Sequence, residues 1–185
     1  MSCDHKYWGK YRGTVLQNLD PERKGRLQLQ VPDVLSLVPS SWAEPCVPLA
    51  GPTGPPMGVY MVPPIGAGVW VEFEQGDPNK PVWVGCRWGA QSDIPLAAQG
   101  GNPADPSIVI QSLLQQAIVI SDMPPGPPPP VMPPTPPVGG IILKSTTGAC
   151  IVVNDAGVFI SNGKGATIEL LGPSVMINKT ALVVT

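Results

Sequence analysis

"GVWVEFEQGDPNKPVWVG", residues 68–85, sets two short apolar runs on either side of Gly76, Asp77, Pro78, Asn79 and Lys80. Gly permits positive φ, Pro presets φ, and Asp and Asn side chains bond back to the main chain. The segment is therefore read as a β-hairpin with a multi-residue loop. Alternation puts Val69, Val71 and Phe73 on one face, with Val82 and Val84 facing the same way on the return. These five are expected in the core. Trp70 and Trp83 then fall on the outer face, where a solvated sheet has no use for two indoles. An outer face of that kind calls for a neighbour.

The 185 residues suffice for one ordinary domain or two small ones. They include 26 prolines and 21 glycines. An interior proline costs a helix about 3 kcal/mol, so long helices are excluded. With 43% apolar residues the chain still has material for a core, and the class expected is all-β with many turns. A formal net charge of −2 gives no general attraction to nucleic acid or anionic lipid. Cys3, Cys46, Cys86 and Cys150 show no C-x-x-C spacing and are read as free thiols of a reducing compartment. The polar opening "MSCDHKYWGKYRG" is unlike a signal peptide, and no apolar run approaches the roughly 20 residues of a membrane span. A soluble product made in the cytoplasm is expected.

Outward from the hairpin, residues 7–89 read as short strands. "YRGTVLQNLD" is a strand running into a turn, and "GRLQLQVPDV" alternates Leu27, Leu29 and Val31 with Arg26, Gln28 and Gln30. "AEPCVPLAG" is broken by prolines, as edge strands are. About five strands in some 80 residues suggest a small closed barrel, since closure removes exposed edges. Its expected core is Leu27, Leu29, Val31, Val69, Val71, Phe73, Val82 and Val84. Residues 1–6 form a tail and 90–106 a linker.

Residues 107–185 contain a repeat. "SIVIQSLLQQAIVISD" from Ser107 lies over "GIILKSTTGACIVVND" from Gly140, with the proline-rich insert 123–138 between the copies. Apolar triplets then begin at Ile141, Ile151, Val158, Ile168, Val175 and Leu182, with Gly, Asn or Ser in most gaps. Regular short strands without helices indicate a β-solenoid, β-helix or β-prism. Three or four residues per strand are too few to bury a core in one chain. Ile151-Val152-Val153 and Val158-Phe159-Ile160 are apolar on both faces. Self-association is the economical answer: a trimer in which each chain supplies one wall of a needle. Ile151, Val153, Val158, Ile160, Ile168, Val175 and Ile177 are its expected core.

Gly25, Arg26, Leu27, Val31 and Pro32, then Pro64, Gly66, Gly68, Val69, Val71, Glu72, Phe73, Gly76, Asp77, Pro78, Pro81, Val82 and Gly85, followed by periodic short strands, form a specific combination. In it the chain resembles the central spike of contractile injection systems. That family includes the baseplate spike of contractile-tailed phages and the VgrG spike of type VI secretion. The resemblance implies an OB-fold barrel followed by a trimeric, intertwined β-helical or β-prism needle, and a structural role at the tip of a tail baseplate assembled in the host cytoplasm. It implies a homotrimer with a separate hub protein, a PAAR-type tip protein as a further partner, and transient contact with a target membrane. The barrel begins close to the start, so the hub is expected on another chain. "NKTALVVT" has no histidine for a metal-bearing tip. In a trimer the outer tryptophans have a use, and Trp70, Trp83 and Trp88 are expected at interfaces.

Other chemistry is weaker. His5 and Cys3 sit in a polar tail, without the third group a catalytic dyad needs. Glu72 and Glu74 share a strand face and are read as solubilising or interface charges. Neither catalytic nor metal residues are assigned, and no cofactor. An OB barrel raises single-strand binding on aromatic platforms. The tryptophans suit it, but eleven basic against thirteen acidic residues leave no positive groove, so nucleic acid is not an expected partner. The spike of a type VI-like system is the other reading.

Overall fold

The computed structural model describes residues 5–51, 54–99, 103–123, 139–179 and 181–184. The proline-rich insert, Met123 apart, and Cys3 lie outside them. The chain is nearly all β and divides into two compact units, Met1–Gly89 and Ala90–Thr185.

In the first unit β1 (Tyr11–Gln17) pairs with both β2 (Gln28–Gln30) and β4 (Gly68–Phe73). β5 (Pro81–Arg87) joins β4 antiparallel and β3 (Glu44–Pro45) parallel. The sheet order is β2-β1-β4-β5-β3. Leu27 and Ala43, just before β2 and β3, exchange backbone hydrogen bonds of 3.1 and 2.7 Å. That bridge closes the sheet on itself, so no strand is left with a long bare edge. After β2, Pro32–Leu35 form one helical turn, α1, with proline in the first turn, where its missing N–H costs nothing.

The interior holds Val15, Leu27, Leu29, Val31, Ala43, Val69, Val71, Phe73 and Trp83. Val82 and Val84 are not among them. They are half-buried, and Trp83 takes the inward position, 5% exposed. The correction has two causes. The loop after β4 returns the chain so that Phe73 opposes Pro81 and Val71 opposes Trp83. A bulge then slips the register, because Trp70 opposes Gly85 and leaves Val84 unpaired. The buried indole N–H donates to the Gly25 carbonyl at 3.1 Å.

That carbonyl belongs to a loop folded around Asp20. Its carboxylate accepts from the amides of Glu22 and Lys24 at 3.0 and 2.7 Å, and from Arg26 Nε and Nη2 at 3.1 and 2.7 Å. The Arg26 guanidinium, first, and the loop amides hold this carboxyl well below the usual carboxylate range. A depressed acid contributes stability above its unfolded-state pKa of about 3.9 and loses it as pH falls below that value. The barrel is therefore expected to weaken on acidification from about pH 4. Asp20→Asn should be weaker at neutral pH and less sensitive below it. Urea midpoints followed by tryptophan fluorescence check this; identical acid slopes for both proteins would refute it.

Residues 90–99 and 103–106 are the described part of the segment read as linker. They carry a 3-10 turn (Gln91–Asp93) and one helical turn, α2 (Leu96–Gln99), whose Ala97 packs on the buried side of the second unit. There β6 (Ile108–Gln111), β7 (Ala117–Ser121), β8 (Gly140–Lys144), β9 (Cys150–Asn154), β10 (Gly157–Ser161), β11 (Thr167–Leu171), β12 (Ser174–Ile177) and β13 (Leu182–Val184) form one antiparallel sheet in strict chain order. The two copies of the repeat are the hairpins β6–β7 and β8–β9, each closed by a bond from the last strand residue's neighbour across the tip (Ser112 to Gln116, Ser145 to Ala149). β9 turns into β10 through Asp155 and Ala156 alone, with Asn154 accepting from the amides of Ala156 and Gly157. A Cβ on Gly157 would lie 2.1 Å from the Leu170 carbonyl, so only glycine fits there. Within one chain these strands form a meander, not the coils of a solenoid.

Candidate assembly face

Registers fix which side chains share a face. Successive partners run Ile110, Ile118, Leu143, Ile151, Ile160, Ile168, Ile177, Leu182 in one row. A second row runs Ile108, Ile120, Ile141, Val153, Val158, Leu170, Val175, Val184. Partners two residues apart along each strand point the same way, so both rows occupy one face. Every position on them is Ile, Leu or Val. Neither a hydroxyl nor a charge interrupts the rows across eight strands.

That face is open. Exposure runs from 37% at Ile160 to 61% at Ile108, with Val158 and Val175 half-buried. The chain's own buried cluster is the opposite face: Ala117, Val119, Ile142, Cys150, Val152 and Phe159. So the seven residues expected as needle core, Ile151, Val153, Val158, Ile160, Ile168, Val175 and Ile177, all lie together, but outside the cluster that one chain buries. Their burial was expected from sister chains, and one chain leaves them open. The sheet spends one apolar face on its own core, and a cover for the other must come from elsewhere. An unbroken apolar face of this extent exceeds what a monomer leaves to water.

The tryptophans divide. Trp83 is removed from the interface candidates, because it is barrel core. Trp70 is half-buried on the outer face of β4, opposite the exposed Arg12. Trp88 is 63% exposed beyond β5. Of the paired carboxylates, Glu72 bonds Lys10 Nζ at 2.6 Å, an exposed pair of small energetic weight, and Glu74 turns away into the loop. His5 stacks edge-on against Tyr7, with ring centroids 4.6 Å apart. Among the described residues no three His, Cys, Asp or Glu side chains gather as a metal site. Cys46, Cys86 and Cys150 are free thiols, and burial pushes the Cys86 and Cys150 thiols up. The sequence shows both faces of these strands to be apolar, as in Ile151-Val152-Val153; it leaves open which face the chain buries itself.

Comparison with known families gives two matches. Residues 11–88 match the Type VI secretion system/phage-baseplate injector OB domain. Residues 107–183 match the phage baseplate V C-terminal trimerisation domain. No curated protein matches the chain. The second match covers the sheet whose two rows stand uncovered, and the first covers the closed barrel.

Proposed function

Since the chain belongs to the phage baseplate V family, a baseplate-spike or VgrG-like protein with injector OB and trimerisation domains in one polypeptide, we propose that it is the central spike at the tip of a contractile phage tail or a related injection particle. The two matches support a structural role in the baseplate, and the trimerisation domain supports a homotrimer. The finer reading is that three sheets turn their open rows inward to form a needle with a dry interior, that the barrels attach it to a separate hub, and that sheath contraction drives it through the target envelope.

The observation that carries this reading is the uninterrupted Ile/Leu/Val face. Three copies around an axis cover one another's rows, and no polar atom has to be buried unpaired. Rigidity follows from the same arrangement. Main-chain ladders along the whole sheet and an apolar interior must fail together, which gives slow unfolding rather than merely favourable equilibrium. A PAAR-type protein on the free β13 edge completes the tip in this reading. The first unit carries no net formal charge and the second a formal −2, so neither offers the positive groove that favours nucleic acid.

Particles assembled with an epitope-tagged chain test the proposal. Label is expected at the distal baseplate only, and particles lacking the chain should have no tip density and fail to deliver their contents. Label spread along the sheath, or full delivery without the chain, would overturn it.

A further inference from the structure

From Pro45 to Val71 the sequence has no charged residue. This stretch includes a narrow arm on the barrel. Gly51 donates to the Met57 carbonyl at 2.7 Å, Val59 donates to the Leu49 carbonyl at 3.0 Å, and Ala50 bridges Gly58. The strands approach so closely that a Cβ on Gly58 would lie 2.9 Å from the Leu49 carbonyl. One side of the arm is hollow: a groove of about 450 Å³ walled by Val47, Leu49, Met57, Val59 and Tyr60. Its charged neighbour Lys24 is already engaged with Glu22 at 2.6 Å. Beyond the arm, Met61 and Ile65 stand 59% and 60% exposed and are not part of that groove.

We propose that in the trimer the barrels form a closed collar, in which Met61 and Ile65 of each copy enter the Leu49–Met57–Tyr60 groove of the next. The occupant is a second copy for three reasons. Met61 follows Tyr60 of the groove wall but does not line the groove, so the knob of one copy can enter the hollow of the next, and a threefold axis closes such head-to-tail contacts into a ring. Residues 107–183 hold three barrels together across the short 90–106 segment, so each groove meets a sister's knob at an effective concentration in the millimolar range. The surfaces are also neutral, so identical copies do not repel, and charge gives them no means of selecting a foreign partner. The inference rests on the homotrimer but concerns a contact that the needle does not make.

The test uses the full chain with a photoreactive phenylalanine analogue at Met61. Irradiation should give covalent dimers and trimers whose yield is unchanged on dilution. Leu49→Asp in the same chain should lower that yield about ten-fold or more, as expected for charging a central interface contact, while sedimentation still shows a trimer and tryptophan fluorescence a folded barrel. A trimer without interchain product, or product only when another baseplate protein is added, overturns the collar alone. A monomer overturns the trimer and the collar together.

Discussion

Replacing Ile151 and Ile160 by aspartate is expected to release the 19.4 kDa monomer while leaving the barrel folded. The two residues are direct partners on β9 and β10, at the middle of the open rows. In one chain they are partly exposed, so carboxylates there are tolerated. In the trimer each copy would bring its pair into an interior with no cation and no hydrogen-bond donor from the rows. Burying even one unpaired charge costs several kcal/mol, and symmetry multiplies the cost. Lys164→Asp, an exposed change at the β10–β11 turn, is the control and should remain trimeric. Sedimentation equilibrium reads the outcome; a trimer in the double variant would show that this face is not the interface.

The second large effect concerns Trp83. Trp83→Ala removes the largest side chain of the barrel interior and the donor to Gly25. Truncating a buried aromatic to alanine costs about 3–5 kcal/mol. That is a large part of the roughly 5–15 kcal/mol that holds a domain together. The barrel is expected to unfold at far lower urea, or not to fold at 37 °C. All five tryptophans lie in the first unit, so fluorescence reports the barrel while sedimentation reports the needle. Trp70→Ala, on the outer face, should shift the urea midpoint little. Equal shifts in the two variants would contradict the placement of the two indoles.

Trp83 also shows where the sequence stops being readable. Leu27, Leu29 and Val31 alternate without interruption and reach the interior without ambiguity. In the return strand, parity depends on how many residues the loop consumes and on the bulge that strands Val84. Neither is written in the alternation itself, since Val82-Trp83-Val84 is apolar at every position. The second unit has the same difficulty in a different form. Strand positions were legible from the triplets, but Ile151 and Val152 are equally apolar. Which is buried by the chain and which is left for its neighbours is decided by how the sheet packs, not by residue type. The apolar arm, Leu49–Gly51 against Met57–Val59, was hidden for the opposite reason: its prolines and glycines resemble an unstructured loop, and only the two hydrogen bonds across it reveal the pairing.

The strict meander of β6 to β13 carries a consequence for reach. Neighbouring strands are spaced by about 4.8 Å, so each hairpin adds about 10 Å to the sheet in the stacking direction. The repeat at 107 and 140 is one such hairpin copied. Length in this protein therefore changes in whole hairpins, by duplication, and each added pair brings its own two residues per strand to the open rows. Such a ruler can be lengthened or shortened without redesigning what lies above or below the change.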